Sequence, residues 1–137
     1  MTNKIQHERT LVVIKPDGVQ RSLIGEIIKR IERSGLKLVG LKMVVPSADF
    51  VESHYTLLPE WLMNVGNKSI QGFKEKGLNS PTEDPIEAGH RVLDANKKYL
   101  ASGPVVVTAW QGAHAVKIVR KIVGNTEPLS SDVGTIR

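Results

Sequence analysis

The sequence contains no cysteine. A disulfide framework, a thiolate zinc site and a cysteine nucleophile are therefore excluded. Aromatic residues are scarce, at 4% of 137, which is poor material for a stacking surface along a nucleic-acid strand. No apolar run is long enough to span a bilayer. The opening, Met1-Thr2-Asn3-Lys4-Ile5-Gln6-His7, is polar and lacks the apolar core of a signal peptide. A cytoplasmic protein without membrane partners is expected. The net charge of +5 is dispersed, with no block of five or six like charges, which argues further against nucleic acid. Neither G-x-x-x-x-G-K-[ST] nor G-x-G-x-x-G occurs, so any bound nucleotide must be held mainly by side chains. No histidine pair has H-x-x-x-H spacing, and no metal site is expected.

What is present is an ordinary globular composition, 40% hydrophobic and 24% charged, at a length suited to one domain. Residues 10–14 form a β-branched run that ends at Lys15-Pro16-Asp17-Gly18, a turn signal. Ile24, Ile27, Ile28 and Ile31 mark one apolar stripe of a helix at about 20–34, with Gly35 as its stop. Residues 36–45 read as a strand. Ser47 can cap a short helix through Leu57, with Phe50, Val51, His54, Leu57 and Leu58 on its apolar side. Trp61–Lys76 has helical spacing, and residues 79–85 are a loop. Asp84 and Pro85 open a further helix with the stripe Ala88, Val92, Ala95, Tyr99. Val105–Trp110 is a second buried strand. Residues 113–123 form a helix with Val116, Val119, Ile122 and Val123 inward, which Gly124 stops. Strands alternating with helices indicate an α/β protein with helices layered on a sheet.

Several side chains could carry chemistry. Lys15 ends a buried strand at a layer edge, where it can meet an anion or lie on the surface with its ammonium in water. Arg120 can grip a phosphate in bidentate fashion or be one charge among Lys117 and Lys121 on an exposed helix face. The Thr126 hydroxyl can donate to a phosphate or cap a turn. Arg137 alone says little. His7 and His90 read as solvated, His54 as a satisfied core histidine, and His114 as a capping or packing residue.

Together these segments resemble the nucleoside diphosphate kinase family. The resemblance rests on the run from Glu8 through Lys15-Pro16-Asp17-Gly18 to Arg21, on Gly25-Glu26-Ile27-Ile28-Lys29-Arg30, and on Leu38-Val39-Gly40-Leu41-Lys42. It continues through His54-Tyr55, Ser102-Gly103-Pro104-Val105-Val106, Trp110 and Gly112, and Gly124-Asn125-Thr126-Glu127-Pro128, to Gly134-Thr135-Ile136-Arg137. The resemblance implies a ferredoxin-like βαββαβ core on an antiparallel sheet, in a single domain over 1–137 with an insert at about 59–101. It implies ping-pong transfer of the γ-phosphate of ATP or another nucleoside triphosphate to a nucleoside diphosphate, with Mg²⁺ on the nucleotide, in a homo-oligomer. It makes Lys15, Tyr55, Arg120, Thr126 and Arg137 the phosphate and sugar contacts.

Two features depart from the family pattern. The stretch between Tyr55 and Ser102 is long, so the aromatic residue that stacks on the base does not align; Trp61 and Phe73 are its candidates. No catalytic residue is identified, because none of the four histidines matches the family's nucleophile, which is expected beyond Arg137 with the last strand. The sequence as it stands is expected not to turn over, since covalent transfer needs a nucleophile. The alternative is a non-catalytic nucleotide-binding module.

Overall fold

The computed structural model describes residues 6–55 and 57–137; the first five residues of the polar opening, and Thr56, lie outside these. The contacts group the chain into two units, Met1–Val44 with Pro104–Arg137, and Val45–Gly103.

The first unit is built on three strands. They are β1 (Glu8–Ile14), β2 (Lys37–Val44) and β3 (Val105–Gly112), in the order β1-β3-β2 with both pairings antiparallel. β1 and β2 are thus parallel and separated by β3, the split arrangement of a ferredoxin-like sheet. β3 is central, so it is the most apolar strand: Val105, Val106, Thr108 and Trp110 are buried. Register places Val12 opposite Thr108, and Thr10 and Leu38 opposite Trp110. Trp110 is fully buried with Ile31, Leu36, Ala115 and Val119, and Val12, Ile27, Ile28, Leu38, Ile118, Ile122 and Val123 pack around them. Its indole N–H donates to Thr108 Oγ1 (2.8 Å), whose hydroxyl donates to the Val12 carbonyl (2.9 Å). The buried Thr108 hydroxyl therefore has both a donor and an acceptor partner.

The 15–18 segment is a helix, α1 (Pro16–Gln20), rather than a plain turn. Lys15 is its N-cap and Pro16 takes the first helical position, where a missing N–H costs nothing. α2 (Ile24–Arg33) begins where its apolar stripe begins, later than the expected start near residue 20, because Ser22 adopts a left-handed backbone (φ 58°) that separates it from α1. Gly35, at φ 91°, ends it. α6 (Ala115–Val123) turns Ala115 and Val119 inward and leaves Val116 exposed. The inward face thus lies one residue from the expected stripe at the helix start. His114 occupies the N-cap position of α6, but its side chain makes no capping bond; the Glu8 carboxylate instead accepts from the Val116 N–H (3.2 Å).

The second unit holds α3 (Ala48–His54), α4 (Pro59–Glu75) and α5 (Pro85–Leu100). Ser47 Oγ accepts from Phe50 N–H (3.2 Å), and Asp84 Oδ1 from Ile86 N–H (3.1 Å), so both caps form as expected. α4 and α5 are antiparallel: Leu62 faces Gly89, and Gly66 faces Pro85. The approach is so close that a Cβ on either glycine would enter a backbone carbonyl of the other helix. This contact selects the buried face of α5. Ala88, Gly89 and Leu93 are buried, whereas Ala95 and Tyr99, expected inside, are exposed. α3 ends at His54 rather than Leu57, and only its Val51 is buried; Phe50 and His54 on it, and Leu57 and Leu58 after it, are exposed.

Candidate functional site

Lys15 stands where β1 runs into α1. Its neighbours Ile14 and Pro16 are buried, which anchors the backbone while the side chain is exposed. Its carbonyl accepts from Val19 N–H (3.2 Å) and starts the helix.

The other candidate cations gather at the C-terminal end of α6. Such an end leaves four carbonyls without helical partners. Here the Gly124 N–H bonds the Arg120 carbonyl (3.0 Å), the Ile136 N–H bonds that of Ile122 (2.9 Å), and the Arg137 N–H bonds that of Val123 (2.9 Å). The chain thus leaves α6 at Gly124 (φ 85°), passes a 3₁₀ turn at Pro128–Ser130, and returns to the same helix end. The return places Arg137 beside Thr126, with a guanidinium N–H 3.4 Å from Thr126 Oγ1. Arg120, Thr126 and Arg137 are all exposed. Main-chain donors thus satisfy the Arg120, Ile122 and Val123 carbonyls, so the exposed cationic side chains are not needed to cap them. Arginine forks and a hydroxyl are a suitable set for phosphate oxygens.

Tyr55 lies in the second unit, at the end of α3, and is half-buried. Burial pushes its phenol pKa up, so it stays a hydroxyl donor across neutral pH. Its ring meets His54 edge-on (5.3 Å, 77°) and lies 5.9 Å from Trp61. His54, expected in the core, is instead exposed, since the helix face it occupies is not covered. Phe73 follows Trp61 on the same helix by twelve positions, about 18 Å along the axis. Trp61, not Phe73, is therefore the aromatic neighbour of Tyr55.

Among the described residues no group of three or more His, Cys, Asp or Glu could hold a metal ion. A shallow groove of about 440 Å³ runs past Arg30, Arg33, Lys121, Asp132 and Thr135, and includes none of the candidate residues. Sequence reasoning missed the tie beside it: Arg30 Nε donates to Glu26 (3.0 Å) and its NH1 to the Gly134 carbonyl (3.0 Å). The i,i+4 spacing of Glu26 and Arg30 was a visible signal for the first bond; the second joins residues far apart in sequence.

A family profile described as nucleoside diphosphate kinase matches residues 8–60 and 86–137. A protein of that name from Pyrobaculum aerophilum is 46% identical over 134 residues, covering 95% of this chain and 73% of the relative. Nucleoside diphosphate kinase III, chloroplastic/mitochondrial, from Arabidopsis thaliana is 40% identical over 130 residues; the chain spans 95% of its own length but 42% of that protein. Among solved structures, an NDP kinase from Pyrobaculum aerophilum superposes with a TM-score of 0.91 at 43% identity, over 95% of this chain and 74% of that one. A transition-state mimic of the Borrelia burgdorferi nucleoside-diphosphate kinase, with vanadate and ADP, gives 0.70 at 28% identity, over 96% and 64%.

Proposed function

The chain belongs to the nucleoside diphosphate kinase family, and we propose that it supplies the phosphate-binding half of a site that moves a γ-phosphate from a nucleoside triphosphate to a nucleoside diphosphate. The observation that carries this is the return of Arg137 to Thr126 at the end of α6. Two arginines and a hydroxyl at that helix end would hold the phosphates, and Lys15, exposed in the same unit, would add a third cation. Charge on the transferring group shifts between attacking and leaving atoms, and fixed positive groups stabilise that shift without reorganising.

In the proposed cycle a histidine nitrogen attacks the γ-phosphorus and the nucleoside diphosphate leaves with the bond electrons. A terminal oxygen of a second nucleoside diphosphate then takes the phosphoryl group and frees the histidine. That histidine is proposed to follow Arg137. Tyr55 is proposed as a further nucleotide contact, with Trp61 as the face for the base; their ring pairing supports treating the two together. Side chains that grip phosphate and sugar leave base choice broad. The donor set fits Mg²⁺ carried in on the nucleotide, since a magnesium ion is commonly held by substrate phosphates and water. Bound there, it would neutralise charge on the β- and γ-oxygens.

We read 1–137 as one kinase-like domain with an insert at about 59–101, which the break in the family match at 61–85 supports. A homo-oligomer fits Leu41 and Met43, exposed on the outer strand β2. A cytoplasmic location is part of the proposal; among the described residues no helix is long and apolar enough to cross a membrane.

The test uses the protein purified from its own gene. Incubation with ATP should give an acid-labile phosphohistidine beyond residue 137, which GDP discharges as GTP. Label on His7, His54, His90 or His114 would contradict the scheme. Nucleotide binding without transfer would instead favour a non-catalytic binding module.

A further inference from the structure

We propose that Arg30, held by Glu26, is a positioning residue for the phosphate site and acts through Gly134 on Arg137. The inference rests on the reading of Arg137 as a phosphate contact.

Arg30 lies on α2, and neither it nor Glu26 belongs to the set at the end of α6. Its guanidinium is divided between two acceptors. Nε donates to Glu26 Oε1 at 3.0 Å, one turn back on the same helix, and NH1 donates to the Gly134 carbonyl at 3.0 Å. The first bond orients the fork; the second spends it on the backbone of the C-terminal segment. Gly134 is a bend point at φ 85°, and the space that a Cβ would take there is open. Packing on that side does not restrain the bend, so a hydrogen bond to its carbonyl has a hinge to restrain.

The restraint acts close to the site. Arg137 is three residues on, and between them the Ile136 and Arg137 N–H groups bond the end of α6. Thr135 Oγ1 stiffens the same stretch by donating to backbone carbonyls, to Asp132 (2.9 Å) or Arg137 (3.1 Å). The segment is thus tied to α6 behind Arg137 and to α2 before it. Without Arg30 the tie to α2 goes, and the Arg137 fork then depends on the α6 tie and on the ligand for its order. An ordinary exposed Glu–Arg pair has little effect. This one differs because the arginine also bridges residues 30 and 134 through a main-chain oxygen.

The experiment measures ADP affinity by calorimetry, and melting temperature, for the full gene product carrying Arg30→Met, Arg137→Met and both. Arg30→Met should raise the ADP Kd about three- to tenfold, the scale of one ordinary hydrogen bond's net contribution. Arg137→Met should raise it at least as much. The double variant should match Arg137→Met alone, because Arg30 acts only through Arg137. Arg30→Lys, which keeps one donor, should restore part of the affinity. An unchanged Kd with a lowered melting temperature would overturn the inference and leave Arg30 purely structural. So would effects that multiply in the double variant. If Arg137→Met leaves the Kd unchanged, the assignment of Arg137 fails first, and the inference with it. Should Arg30→Met not fold, Glu26→Gln gives the same comparison: a smaller rise in Kd that vanishes in the Arg137→Met background, with additivity again the contrary result.

Discussion

Glu26 and Glu87 each accept from an arginine one turn further along their helix, Arg30 and Arg91, and Glu87 also accepts from Thr82. For Glu26 the Arg30 hydrogen bond is the main reason its pKa is lowered; for Glu87 the Thr82 bond comes first and Arg91 second. A carboxylate whose pKa is lower folded than unfolded stabilises the fold fully above its unfolded value, about 4.3. That contribution is lost as the pH falls through the lowered value. Proton titration followed by NMR should place both groups below an ordinary glutamate, and Arg30→Met should move Glu26 back up while leaving Glu87 where it is. These i,i+4 pairs were legible from spacing alone. The bond from Arg30 to Gly134 was not, because 104 positions separate the two residues.

The helices show what local pattern determines and what it leaves open. Caps at Ser47 and Asp84 form where side-chain chemistry placed them, since capping needs only a few neighbouring residues. The buried faces of α5 and α6 depart from their apolar stripes, because the partner chooses the face. In α5 the partner is α4, and the choice follows from glycine. Gly66→Ala should weaken the hairpin despite the better helix propensity of alanine, since its Cβ would enter the Pro85 carbonyl. Gly72→Ala, in the same helix but with nothing nearby, should stabilise by about 0.4–1 kcal/mol. Urea midpoints moving in opposite directions would bear this out. Gly124→Ala should also destabilise, by about 1–3 kcal/mol for the backbone alone, since φ 85° with ψ −174° is a conformation that essentially only glycine adopts. Its Cβ would press on Thr135 as well (2.7 Å from Oγ1), and so disturb the segment that carries Arg137.

Across the first unit, the sheet depends on one residue of β3. Trp110 is fully buried and its indole reaches β1 through the Thr108 hydroxyl. Trp110→Ala should cost about 3–5 kcal/mol, the range for a large aromatic truncated in a core. Trp110→Phe should cost less, leaving Thr108 to lose one donor rather than the core its bulk. Equilibrium unfolding of the two variants measures the difference.

By itself the sequence determined the three apolar strands, most helix starts and stops, and the segments that mark the family. These depend on near neighbours: β-branched runs, prolines, caps and glycines act within a few residues. It also named Lys15, Tyr55, Arg120, Thr126 and Arg137, by resemblance and not by geometry. Only the tertiary structure decided that β3 lies between β1 and β2, that Glu8 rather than His114 caps α6, and that the chain folds back to set Arg137 against Thr126. Each of these joins residues distant in sequence. Such contacts form only once packing brings the elements together, and no local pattern encodes which partner an exposed donor or acceptor will meet.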